Sequence, residues 1–338
     1  MPSMLTVFVM MIFQQQVWEK LPPLPDEAGF ASMFAGVVDD KLVAAGGANF
    51  PDKKPWEGGT KVWHDRVFVL DATQKEWRLV GRLPVPLAYG VAVSTPEGLL
   101  CMGGSDAKTH YADCFEIGFM GEKPSFKKYP SLPKPCANMS GLRVGNKVYV
   151  MGGTEKPDST EALHNFWVLD LGNVNLGWKE LAPWPGPGRM LAVCAQHDGV
   201  VYLFSGTGLS RGMDGKPVRN YWKDAYAFSE AGGWKKLADM PRATVAAPTP
   251  AWAENHLITI NSGDDGSLVN FEPKAKHPGF PRDGIRYDIR NNTWSQGEKV
   301  PFSLATVPVV QWMGKMVIVS GEMRPGIRTP EVLSKRLP

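Results

Sequence analysis

Six times along this chain an apolar, largely β-branched run ends in two small residues. The runs are VAAGG (43–47), LCMGG (100–104), VYVMGG (148–153), VYLFSG (201–206), LITINSG (257–263) and MVIVSG (316–321). After each of the first five comes a loop, an apolar strand and then a strand carrying Trp or Phe, as in VFVLDATQKEW (67–77) and IRYDIRNNTW (285–294). A proline soon follows the aromatic. A period of this length marks a fold built from stacked copies of one supersecondary unit, here a four-stranded sheet of roughly 50 residues. Six units predict an all-β ring of six blades. The small pair lets adjacent blades approach where a Cβ would intervene, and the bulky aromatic fills the wedge between them.

The two ends fit a circular closure. VWEKLPPLP (17–25) is a tryptophan strand without its preceding strands, and RTPEVLSKRLP (328–338) lacks its tryptophan strand. The N-terminal strand is therefore expected to complete the last blade and leave no free sheet edge at the seam. Residues 17–338 read as a single propeller, and residues 1–16 as an apolar N-terminal segment, either a signal remnant or a cap. The run Leu5–Phe13 in that segment is too short to span a bilayer. It lacks a preceding basic residue and a small-x-small cleavage site, so export to the periplasm and a cytoplasmic location both stay open.

Composition removes several classes of function. Thirty-seven Lys and Arg stand against 34 Asp and Glu, with no basic run interleaved with aromatics, so no nucleic-acid footprint is expected. The four cysteines, at 101, 114, 136 and 194, form no CxxC pair, and the six histidines are scattered singly, so no metal-site spacing is present. Cys101 and Cys194 read as buried free thiols.

Some polar residues belong to the repeat. Asp65, Asp113, Asn165, Asp224, Asp283 and Glu331 recur just before the third strand of a blade, which argues for scaffold. His64 and His164 precede that position. Arg189 and Arg242 lie where an outer strand returns to the next inner strand; structure is their default, but the place borders the central channel. The loops after the small pair are unequal, long in blades 1, 4 and 5, and they crowd one mouth of the ring.

Two loops carry candidate chemistry. In NFPDKKPWEGGTKVWHD (49–65), Glu57 lies between Trp56 and two glycines, with Lys61 four residues on. Partial desolvation would raise the Glu57 pKa and suit it to proton transfer; the competing reading is a surface glutamate in a mobile loop. In SGEMRPGIRTPEV (320–332), Glu322, Arg324 and Arg328 fall within seven residues. Arginine forks match a carboxylate ligand, or the segment is a salt-bridged turn involving Glu322.

The repeat resembles the kelch repeat, which implies a six-bladed kelch-type β-propeller. The two loops together resemble those of the bacterial sialic-acid mutarotases, the N-acetylneuraminate epimerases, in a cyclically permuted form. In that family a glutamate of an EG-x-x-K loop is the proposed proton acceptor; it falls on Glu57, with the family lysine on Lys61. The GE-x-[KR]-PG-x-RT segment falls on Glu322, Arg324, Pro325, Gly326, Arg328 and Thr329. The resemblance implies cofactor-independent conversion of α-N-acetylneuraminate to its β anomer, with a sugar acid as ligand. It implies Glu57 as base, Lys61 or His64 at the ring oxygen, and Arg328 or Arg324 on the carboxylate. Glu322, Arg189, Arg242, Asn49 and Trp56 are further expected substrate contacts. The rival is a non-catalytic kelch propeller binding a glycan or protein, which short, similar loops would fit better. A sialidase would call for S-x-D-x-G-x-T-W boxes, and a copper radical oxidase for a cysteine-linked tyrosine with paired histidines; neither pattern is found.

Overall fold

Adjacent β-branched and aromatic runs joined by two-residue turns form hairpins, and hairpins repeated six times form this ring. A computed structural model describes residues 18–337. The first blade orders Phe34–Val38, Lys41–Ala45, Arg66–Leu70 and Arg78–Arg82 from the axis outward. Four more four-stranded blades repeat that order along the chain, and the sixth is completed from the other end. The inner hairpin of blade 1 turns at Asp39 and Asp40, with φ 47° and 59°, the left-handed pair a type I′ turn needs.

The seam closes as the sequence implied. Glu19–Leu21 pairs antiparallel with the last strand, Val332–Arg336, with Glu19 opposite Ser334 and Leu21 opposite Val332. The all-β, six-bladed propeller is thus the observed fold. The apolar run expected to be a signal or cap lies outside the described residues.

Blades are joined by packing and by polar pins. Phe34, Val43 and Val67 of blade 1 pack with Leu99, Cys101 and Ile117 of blade 2, all under 2% exposed. The outer-strand tryptophans do more than fill wedges. The indole N–H of Trp77 donates to the Pro22 carbonyl at 2.8 Å, Trp178 to Pro130, Trp234 to Ala182 and Trp294 to Ala238, each at 2.9 Å. Each bond ties one blade's outer edge to its predecessor. All four cysteines are free and buried, and burial pushes the thiols of Cys101, Cys136 and Cys194 up.

One feature of the ring has no sequence motif. Ser32, Tyr89, Asn138, Leu191, Ala246 and Thr306 each precede an inner strand and each has φ between 51° and 64°. Their backbones bond in a closed cycle around the axis. Each N–H donates to the carbonyl of the residue one blade back, and Ser32 donates to Thr306, at 2.7–3.1 Å throughout. This cycle is the floor of the mouth carrying the long loops.

Candidate functional site

Above that floor lies a cavity of about 530 Å³, within the range of small-molecule sites. Its walls come from the unequal loops. Blade 1 supplies Phe50, Pro55, Lys61 and Trp63; blade 2 Tyr89, Asp106 and His110; blades 4 and 5 Arg219 and Asp264; blade 6 Glu322 and Arg328. Short two-stranded ribbons hold these loops: Ala48–Asn49 with Val62–Trp63, Thr207–Arg211 with Pro217–Tyr221, and Glu322–Arg324 with Ile327–Arg328.

The carboxylates in the cavity are not equivalent. Asp106 accepts from the Lys108 and Thr109 amides and from the Tyr111 hydroxyl. Burial opposes its ionisation, but those bonds outweigh it and hold its pKa below the usual range. Both Asp264 oxygens are likewise taken, one by the Gly266 amide at 2.9 Å and one by the Tyr221 hydroxyl at 2.8 Å. Glu322 differs. Its Oε1 accepts from the Gly326 amide at 2.7 Å and lies 3.4 Å from Arg328 Nη2, while Oε2 has no partner among the described residues.

Arg328 is the group the scaffold leaves unfinished. Its side chain is 4% exposed, yet Nε and Nη1 have no hydrogen-bond partner. Beneath it lies the Phe50 ring, 4.8 Å from the guanidinium carbon. A buried guanidinium missing two acceptors is costly unless an anion supplies them. Lys61 Nζ sits over the rings of Trp63 and Tyr89 at 5.2 and 5.1 Å and donates to the Tyr89 hydroxyl at 3.3 Å. His110 donates from Nδ1 to Thr154 O at 2.9 Å, and burial lowers its pKa.

Of the ten residues singled out in the sequence, Lys61, Glu322 and Arg328 line the cavity. The other seven are placed elsewhere. Glu57 is exposed, its carboxylate accepting the Lys54 amide at 3.0 Å and capping the short 3₁₀ turn Pro55–Glu57. The burial expected of it is absent. Trp56 and Pro55 dock on Gly326, where a Cβ would come within 3.1 and 2.8 Å of them. Arg324 lies over Trp56 at 6.0 Å and donates to the Ala275 and His277 carbonyls, tying the blade 5 loop to blade 6.

Asn49 and His64 form a buried lattice instead of a ligand shell. Asn49 is wholly buried; its Nδ2 donates to Gly29 O at 2.9 Å and its Oδ1 accepts from His64 Nε2 at 2.8 Å. With Nε2 protonated, His64 Nδ1 accepts from Arg66 at 3.3 Å. Burial, then the Arg66 charge, lowers the His64 pKa. Arg189 is fully buried and bidentate to Asp224, and Arg242 donates to the Ala243, Ser262 and Asp283 carbonyls. Both side chains are engaged within the blade returns, and neither lines the cavity. Sequence reasoning missed Tyr89 and His110; a positive φ on an aromatic leaves no trace in one sequence.

A family model described as N-acetylneuraminate epimerase matches residues 6–124 and 129–272. The chain belongs to the N-acetylneuraminate epimerase family. Curated N-acetylneuraminate epimerases of Yersinia enterocolitica and Brucella melitensis are 26% and 27% identical to it over 231 residues, covering 61% and 60% of this chain. The match takes in 57% of each relative's length. A solved structure described as "Structure of YjhT" superposes with a TM-score of 0.71 at 16% identity, covering 94% of this chain and 97% of that one, and supports the fold. The family match ends before Glu322 and Arg328, so their placement in the site rests on geometry.

Proposed function

We propose that this protein is a sialic-acid mutarotase that speeds conversion of α-N-acetylneuraminate to the β anomer. One observation carries the reading. Arg328 and Glu322 stand side by side in the cavity with Nε, Nη1 and Oε2 uncommitted. A planar fork with two free donors suits the sugar carboxylate, and an adjacent free carboxylate oxygen suits the anomeric hydroxyl on the same carbon. Family membership supports the same substrate class.

In this reading Arg328 anchors the carboxylate and Glu322 takes the anomeric proton, the role the sequence resemblance assigned to Glu57. Loss of that proton opens the ring to a 2-keto acid, rotation about the bond from C2 to C3 presents the other carbonyl face, and reclosure returns the proton. Metal-free acid–base groups suffice for each step.

Proton NMR of the C3 protons tests the reading, using sugar freshly released as the α anomer by a sialidase. Wild type is expected to hasten decay to β, and Glu322→Gln to slow the catalysed rate by about 10²–10³-fold. No acceleration by wild type would sink the proposal and favour a glycan- or protein-binding propeller. Acceleration that survives Glu322→Gln would keep the activity and remove Glu322 as base.

A further inference from the structure

The six floor residues share a backbone conformation but not a side chain, and only one of them offers the cavity an uncommitted acidic proton. Leu191 and Ala246 have none. Thr306 donates its hydroxyl to Ala305 O at 2.7 Å, and Asn138 donates to the Thr154 hydroxyl at 3.3 Å. Ser32 does not line this cavity. Tyr89 does line it, and its hydroxyl oxygen accepts from Lys61 Nζ at 3.3 Å. With the oxygen's acceptor role filled by Lys61, the phenol proton has no partner among the described residues.

The ring also explains how so bulky a residue is held. Tyr89 has φ 64°, a state an aromatic seldom adopts and that surrounding structure must impose. Its N–H is bonded to Ser32 O at 3.1 Å and its carbonyl to Asn138 N at 2.8 Å. Trp63 packs against its ring edge at 6.4 Å between centroids. The phenol is thereby fixed in the same cavity that Glu322, Arg328, Phe50 and Lys61 line.

We propose that Tyr89 is the second catalytic residue, the proton donor to the sugar ring oxygen, with Lys61 as its positioning partner. The proposal rests on the mutarotase reading. Carboxylate, anomeric hydroxyl and ring oxygen all sit on one carbon, so base and acid have to reach it within one cavity, and Glu322 and Tyr89 line the same one. Glu322 removes the anomeric O–H proton and that electron pair forms the carbonyl. The bond from C2 to the ring oxygen breaks, and the oxygen takes its proton from Tyr89, leaving a phenolate beside the Lys61 ammonium. On reclosure the new hydroxyl returns its proton to Tyr89 as it attacks the other carbonyl face, and the carbonyl oxygen recovers a proton from Glu322. Nothing is consumed. His64, bonded to Asn49 and Arg66 outside the cavity, is not available for this step.

The test is a saturation series of α-anomer decay with wild type, Tyr89→Phe and Lys61→Met, each checked by thermal melting. Because the ring uses only backbone atoms at position 89, Tyr89→Phe is expected to fold as wild type does. Its kcat should drop about 10²–10³-fold with KM unchanged, the signature of an interaction made in the transition state. Lys61→Met should lower kcat by a smaller factor, again without raising KM. Full kcat in Tyr89→Phe, or a loss confined to KM, would overturn the proposal. So would a Lys61→Met protein with wild-type kcat, which tests it even if the tyrosine variant fails to fold. A wild-type protein that leaves the decay rate unchanged overturns both this proposal and the function beneath it.

Discussion

Arg189 and Arg328 are the same residue type at similar depth, and the scaffold treats them in opposite ways. Arg189 is wholly buried and bonded at every nitrogen: Nη1 and Nη2 reach Asp224 at 2.7 and 2.8 Å, Nη1 also bonds Ser205 O at 2.7 Å, and Nε bonds Pro187 O at 3.3 Å. Arg328 has one ion pair at 3.4 Å and two nitrogens with nothing to bond. A buried charge that the fold completes is structure. A buried charge that the fold leaves incomplete, inside a cavity, is a demand for a ligand.

The largest effect should come from breaking the one whose nitrogens are all bonded. Arg189→Met leaves the partly buried Asp224 with the Tyr226 hydroxyl as its remaining side-chain partner, and removing one partner of such a pair costs about 3–5 kcal/mol. Chemical denaturation should show that loss, with the surviving folded protein still active. Arg328→Met should do the reverse. Losing two charge-assisted bonds to the sugar carboxylate should lower kcat/KM by about 10²–10³-fold, or about 3–4 kcal/mol. Its melting should stay within about 1 kcal/mol of wild type, since an unsatisfied guanidinium is removed. If Arg328→Met unfolds while Arg189→Met does not, the two roles are exchanged.

The contrast also shows what one sequence can carry. The propeller was legible because spacing survives without identity: six small pairs and five aromatic strands fix blade number, and the unmatched ends fix closure. Glu322 and Arg328 were legible as a dense motif. The division between Arg189 and Arg328 was not, because both lie in Gly- and Pro-rich turns and only the partner across space distinguishes them. Asp224 reads as scaffold by recurrence, yet nothing in one sequence marks Arg189 as its partner. Tyr89 was hidden for a related reason: Ser, Tyr, Asn, Leu, Ala and Thr share φ 51–64° at the floor and nothing a pattern could match.

His64 yields a smaller, pH-dependent test of scaffold against site. Burial and then Arg66 lower its pKa from 6.5, so the unfolded chain binds the proton more readily. Stability from the neutral ring is therefore present above about pH 6.5 and lost as pH falls through the lower folded value. Melting temperature should decline over that window in wild type and decline less in His64→Gln, whose amide can keep a bond to Asn49. A proton-transfer role for His64 would instead show as lost kcat at neutral pH with melting unchanged.

Glu57→Gln should have the smallest effect of all. The glutamine retains an oxygen for the Lys54 amide, so the turn that docks Trp56 on Gly326 stays capped. An exposed substitution of this kind is worth about 0.5 kcal/mol or less, so α-anomer decay should stay within about twofold of wild type. A large loss would mean that the Pro55–Glu57 turn rotates over the bound sugar, since nothing else brings that carboxylate to the reacting carbon. Pro55 already lines the cavity, so the required swing is local. In that case Glu322 would be left as the neighbour that orients Arg328, and the contrast between a finished and an unfinished arginine would stand with a different base beside it.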